Sequence, residues 1–417
     1  MIDGLTPRLK TTPVNLGGRK LCAAALAAGL IIVTLIPARG GARWPQYGFD
    51  ARHSLSNPLE HILGRKNVSS LALQWEFVTG NGAGIAPLSG PALSDGVLYV
   101  GSYSQTMFLA LDAATGATRW IYTGANVFSD PAVGSGHVYT ASLDGNLYSF
   151  PTNCVGTCTP TWTAPVGALG TNSPPTLANG TLYLGGYDGR VYAFDATDGA
   201  ELWSAQVNPR NVVDPLNFAP AVAGGRVFVS GDRGIYAFPG SCTSPCAPLW
   251  VATTQFSPAA APTVAGGSVL VADYQGTVYS IDAATGTILW KGTVAAIPHT
   301  IAAADGVAYV ADGIGELVAF AVAGCGQAAC SPLWKSAPSG LTLFNPTVAN
   351  GIVYVGALDF IYTAGDVLAY PATCVDGCEP LATIVLGGAN ETPVAVAGGR
   401  VFATTVNGSI DSFALTP

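Results

Sequence analysis

One feature constrains this chain more than any other: it repeats. Tryptophan recurs in a short strand-like setting as LQWEF (Trp75), TRWIY (Trp120), PTWTA (Trp162), ELWSA (Trp203), PLWVA (Trp250), ILWKG (Trp290) and PLWKS (Trp334), at spacings of 45, 42, 41, 47, 40 and 44 residues. An eighth copy, LATIV at 381–385, lacks the tryptophan. Two other elements recur with it. One is a proline, an alternating strand, a glycine turn and a second strand, as in PTVANGIVYVG from Pro346. The other is a further alternating strand, as in VYAFDA at 191–196. Period-2 alternation rich in Val, Tyr and Phe marks strands. Each unit therefore holds four strands: A and B from the proline element, C from the next, and D from the tryptophan. A four-strand unit of this length is the signature of a propeller blade.

The order of the elements predicts how the ring closes. The first copy is a lone D strand at Trp75, and the last is an A-B-C set ending at Leu415. Pairing them completes an all-β, eight-bladed β-propeller over 72–417, with the last blade closed by the N- and C-terminal strands. Such closure removes an exposed edge. The tryptophans read as packing between neighbouring blades.

Composition agrees with a packed fold. Hydrophobic residues are 49%, which excludes wholesale disorder, and the 52 Gly and 29 Pro follow no three-residue period. From Arg43 onward there are 12 basic and 24 acidic residues, a balance of −12. That portion has no basic cluster, so a nucleic-acid partner is not expected.

The N-terminus has a different character. Leu21–Ala38 carries no charge and follows Arg19 and Lys20. A basic flank before an apolar run of 18 residues reads as an export signal or a retained membrane anchor. Gly40-Gly41-Ala42 offers small residues for cleavage. Residues 1–42 are thus expected to be a cytoplasmic tail plus signal or anchor, and 43–71 a leading segment. Everything after 43 should lie outside the cytoplasm, whether periplasmic, cell-surface or secreted.

Cysteine placement fits that compartment. Cys154 and Cys158, Cys242 and Cys246, Cys325 and Cys330, and Cys374 and Cys378 form local pairs, each between strands C and D of a blade. The repeated position predicts four hairpin disulfides rather than redox or zinc sites. Other blades close the same hairpin with DAATG or DATDG, a tight Asp/Gly turn.

In a propeller the D–A and B–C loops share one face, and the residues around the start of strand A lie nearest the axis. This places Asp130, Asn172, Asn217, His299, Asn345 and Glu391 around a funnel, with Arg210 on a longer D–A loop. Carboxylates and amide oxygens can hold a hard cation such as calcium, for which Glu391, Asp130 and Asn345 are the candidates. Asp130 and Glu391 are also the candidate acid–base groups. Asn172, Asn217, His299, Asn345 and Arg210 would hold a cofactor. The plainer alternative is that polar residues at strand ends cap turns. His299 is placed near the channel, and His53, His61 and His137 elsewhere.

The unit PxVxxGxVYV…LYAFDAxTGxxxW resembles the repeat of pyrroloquinoline-quinone (PQQ) type propellers, over about 72–415. The segment WPQYGFDARHSLSNPLEHILGRKNVSSLALQWEFVTG, 44–80, is similar to the start of quinoprotein alcohol dehydrogenases. The resemblance implies the eight-bladed fold. It further implies either a PQQ- and calcium-dependent oxidoreductase acting on an alcohol or sugar, or a non-catalytic scaffold binding proteins or polymers at the cell envelope. The family's calcium ligands are a Glu, an Asn and an Asp, which map onto Glu391, Asn172 or Asn345, and Asp130. The chain has no adjacent cysteines like the family enzymes' vicinal pair, and no CxxCH haem motif.

Overall fold

The computed structural model describes residues 42–79, 88–102, 106–124, 129–167, 170–208, 216–243, 245–359 and 365–416. The apolar stretch 21–38 and Arg210 fall outside them. Among the described residues no helix is long and apolar enough to cross a membrane.

Eight antiparallel blades form the ring, each with four meandering strands. Their A strands are Ala92–Ser94, Ala132–Gly134, Thr176–Ala178, Ala221–Ala223, Thr263–Ala265, Pro298–Ala304, Thr342–Ala349 and Ala395–Ala397, which number blades 1 to 8 in order. The composite blade forms as expected. Leu71–Val78 pairs antiparallel with Ser409–Leu415, from Leu71 opposite Leu415 to Val78 opposite Ser409.

Aromatic side chains join the blades. The Trp75 indole donates to Ala113 O at 3.2 Å in the next blade, Trp203 to Gly240 O at 3.2 Å, and Trp290 to Val322 O at 3.0 Å. Each ring lies over the C–D turn of that next blade. A side chain at Gly116 would stand 2.8 Å from the Trp75 ring. The turn glycine is thus needed for the tryptophan's seat as well as for its positive φ of 74°. Tyr139 and Tyr309 reach the equivalent carbonyls of Ala196 and Ala372 at 3.0 and 3.2 Å. Buried indole and phenol groups need such partners.

All four expected disulfides are present. Cys154 is bonded to Cys158 and Cys242 to Cys246, each with a Cα–Cα separation of 5.7 Å. Cys325 is bonded to Cys330 at 5.6 Å and Cys374 to Cys378 at 6.0 Å. They have an additional role that their spacing does not reveal. Gly156 and Thr157, inside the first disulfide loop, pair in parallel with Trp120 and Ile121 on strand D of the preceding blade. Cys330 N donates to Lys291 O at 2.8 Å in the same manner. In the fourth loop Gly377 N donates to Lys335 O at 2.8 Å, and Cys378 O accepts from Ala337 N at 3.0 Å. The second loop packs by its sulfur instead: Cys246 is buried in the apolar cluster that holds Trp203 and Phe238. The three bonded loops cover the outer edge strand of the neighbouring blade, where open N–H and C=O groups would otherwise template aggregation.

The leading segment does more than deliver the chain to blade 8. Residues 44–57 curl across the axis and bond to strand A of every blade in turn. Trp44 exchanges bonds with Leu93 at 2.8 and 2.7 Å, and Pro45 O accepts from Val133 N at 2.7 Å. Gln46 Oε1 accepts from Leu177 N at 2.8 Å. Ala51, Arg52, Ser54 and Leu55 carbonyls accept from Val222, Val264, Ala303 and Val348 at 2.6, 2.8, 2.8 and 2.7 Å. Asn57 Nδ2 donates to Val396 O at 2.7 Å. This girdle satisfies the inner edge of the ring and closes the channel at one end. Its tight curl places Phe49, His53 and Leu55 at φ of 72°, 54° and 49°, a strain that the contacts to all the blades hold in place.

Candidate functional site

Above the girdle the channel is a blind cup of about 310 Å³. Asp130, Asn172, Asn217, His299, Asn345 and Glu391 all line it, so the fold gathers every described residue expected there. Tyr47 of the girdle also lines it, a residue that the sequence reading misses. It lies outside the repeat, so no periodic pattern marks it. His53 does not line the cup: it is buried in the girdle, edge-on to Tyr47 with ring centroids 5.0 Å apart. His299 and Asn345 stand inside longer A strands at irregular registers, where bulges turn them toward the cup.

Several of these side chains have structural partners. Asp130 Oδ1 accepts from Gly90 N at 2.7 Å, tying blade 2 to blade 1. A side chain at Gly90 would stand 2.5 Å from Asp130 Oδ2, so glycine makes room for the carboxylate. Asn345 uses both ends of its amide: Oδ1 accepts from Thr300 Oγ1 at 2.9 Å and Nδ2 donates to Glu391 O at 2.6 Å. The Asn172 Oδ1 atom is buried without a partner. The His299 ring packs against Phe344 with centroids 4.1 Å apart.

Burial sets the electrostatics. It raises Asp130 to about 6 and raises Glu391 above the usual carboxylate range. It lowers His299 to about 4, so that imidazole is neutral, and pushes the Tyr47 phenol far above its usual range with a further push from Asp130. No Lys or Arg is among the described residues lining the cup. The site is therefore a negative, partly desolvated cup with aromatic walls from Tyr47 and Phe218.

Acidic loops surround it. Asp144, Asp188 and Asp273 lie in B–C loops on the same face, where each accepts from a tyrosine hydroxyl: Tyr148 at 2.6 Å, Tyr192, and Tyr279 at 2.9 Å. Asp273 and Asp312 also cap their own loops through backbone N–H groups. For these acids the turn-capping role expected of strand-end residues holds. A second hollow of about 460 Å³ adjoins the cup, sharing Asn217 and Phe218 and extending to Asp232, Ser257 and Tyr274.

The family profile described as outer membrane protein assembly factor BamB (PQQ_2) matches residues 32–291, 247–327 and 274–372. The chain belongs to this family of PQQ-type repeat propellers. It is 28% identical to a quinohemoprotein alcohol dehydrogenase, ADH IIB of Pseudomonas putida, over 52% of this chain and 26% of that protein. It is 30% identical to the serine/threonine-protein kinase AfsK of Streptomyces griseus, over 36% of this chain and 19% of the kinase. The matches thus span about a quarter or less of those relatives. Among solved structures, the quinohemoprotein alcohol dehydrogenase of Comamonas testosteroni superposes with a TM-score of 0.70 at 15% identity, covering 89% of this chain and 80% of that one. BamB from Moraxella catarrhalis gives 0.62 at 16%, covering 82% and 99%. Identities this low establish the fold alone. One repeat thus occurs in proteins named for different activities, and chemistry must be argued from the cup.

A quinone with three carboxylates and a calcium ion would need cations for the one and several free oxygens for the other. The described lining supplies no Lys or Arg, and Asn345 is committed at both ends of its amide. Among the described residues no three His, Cys, Asp or Glu cluster as metal ligands would. The described residues do not fit that pair.

Proposed function

We propose that this chain is an extracytoplasmic binding propeller, anchored by residues 21–38, whose cup takes a cationic segment of an envelope protein or polymer without transforming it. One observation carries the reading: two carboxylates with raised proton affinity and amide oxygens line a closed-ended cup that holds no lining cation among the described residues. A guest ammonium or guanidinium would relieve the desolvated charge of Asp130 and give Asn172 Oδ1 a donor. The aromatic walls suit a cation as well. Membership in the BamB-described family supports a scaffold role, and the charge-free run after Arg19 and Lys20 supports export.

The test is calorimetry of the full-length protein with a lysine-rich peptide, a chitosan oligomer and a neutral glucan. Saturable binding of the cationic probes is expected, weakening in about 0.5 M salt as the screening length shortens. It should be lost in Asp130→Asn/Glu391→Gln. Equal binding by that double variant, or no binding at all, would overturn the reading.

A second reading, a quinoprotein-type oxidoreductase of an alcohol or sugar, is favoured by the sequence match to ADH IIB. It requires PQQ and calcium to bind.

A further inference from the structure

The chain joins the propeller at Ala42, which meets Gly398 in the A–B turn of blade 8. Strand A is innermost and the A–B turns lie opposite the cup. The point of attachment is therefore close to the axis on the girdle face. The charge-free run ends at Ala38, four residues earlier. Four residues reach at most about 14 Å. A path from that point around the rim to the cup face crosses three strand spacings and one strand length, about 30 Å. A membrane holding 21–38 can touch the girdle face and cannot touch the cup face.

The loop that follows the girdle is built to meet such a surface. Leu59 and Ile62 are 62% and 56% exposed, and Arg65 and Lys66 are exposed beside them. The loop's one acid is turned inward. Glu60 is buried, with Oε1 accepting from Ile62 N at 2.7 Å and Leu63 N at 3.0 Å, and Oε2 from Gly399 N at 2.9 Å. Asn67 fixes the far side, accepting from Gly64 N and donating to Ile62 O at 2.8 Å each. The backbone is thus held rigidly while Leu59, Ile62 and Lys66 face solvent, and the exposed Arg65 guanidinium donates to Thr373 Oγ1 at 3.1 Å and Thr373 O at 3.3 Å. Nearby, Arg43 pairs with Asp95 at 3.5 Å, so Arg65 and Lys66 supply the local positive charge.

We propose that residues 58–66 dock on an anionic bilayer surface, Leu59 and Ile62 in the headgroup layer and Arg65 and Lys66 on lipid phosphates, so that the cup opens away from the membrane. The inference rests on the reading that 21–38 remains as an anchor. The apolar pair and basic pair are the combination that interfacial binding uses.

The test is hydrogen exchange by mass spectrometry on the full chain. It is run in nanodiscs of phosphatidylcholine with phosphatidylglycerol, in phosphatidylcholine alone, and in detergent micelles, with intact mass recorded. Exchange over 58–66 should slow at least about fivefold in the anionic discs, the effect of one basic residue at such a surface, with cup loops 170–174 and 388–392 unchanged. Leu59→Ser/Ile62→Ser and Arg65→Glu/Lys66→Glu, both on the surface, should each abolish the slowing. Unchanged exchange at 58–66, or protection of the cup loops, with the mass intact, would overturn the docking. A mass showing cleavage between 21 and 42 would overturn the anchor reading and the docking with it.

Discussion

At the residue scale the cup's chemistry turns on Asp130. Burial raises its pKa to about 6, so the native state holds that proton more tightly than the unfolded chain does. The sign follows: stability from this group is full at low pH and is lost as pH rises through about 6. Asp130→Asn removes that loss and keeps an oxygen for Gly90 N. The variant should match wild type near pH 4 and exceed it by about 1–3 kcal/mol at pH 7.5 in urea titrations. It should also erase the rise of cation binding with pH near 6. His53 behaves oppositely. It is buried and lowered to about 4, with Nδ1 3.3 Å from Pro262 O and Nε2 2.9 Å from Thr176 Oγ1. A carbonyl can only accept, so Nδ1 carries the proton and Nε2 accepts the threonine hydroxyl. This contribution is complete above about pH 6.5 and falls as pH drops toward 4. His53→Ala should cost about 2–3 kcal/mol at pH 7.5 and less at pH 4.5.

At the element scale two devices hold the ring: the girdle inside and the disulfide loops outside. Each disulfide joins cysteines four or five positions apart, so removing one should cost about 2 kcal/mol by loop entropy. The docked strand gives a more specific expectation. In Cys154→Ser/Cys158→Ser, the Cys158 N–H bond to Ile121 O should open, and exchange along Thr118–Thr123 should quicken while blade 5 is unchanged. These devices also mark how far the sequence could be read. Strand alternation, the tryptophan period and the cysteine placement are side-chain patterns, and they lead directly to blades, closure and disulfides. The girdle is made mostly of backbone carbonyls meeting strand A, and a carbonyl leaves no trace in residue type. Tyr47 was therefore invisible as a cup-lining residue, and His53 as a member of the girdle. Asp130 and Glu391 were legible because blade topology alone fixes where a D–A loop sits. Their raised proton affinity was not, since it depends on burial that the girdle completes.

At the scale of the whole molecule, stability depends on closing the circle. Trp75 sits on the terminal strand of the composite blade, 3% exposed, bonded to blade 1. Trp75→Ala should cost about 3–5 kcal/mol and loosen blades 8 and 1 together, read by exchange at both. The cup at the channel mouth faces away from the girdle, and its character decides function. The most direct measurement is a calorimetric titration of the full-length protein with PQQ, with and without calcium. A binding propeller with a negative cup predicts no saturable heat and no rise in unfolding temperature under either condition. Calcium-dependent binding at micromolar affinity, lost in Asp130→Ala or Glu391→Ala, would contradict it and establish the oxidoreductase reading instead.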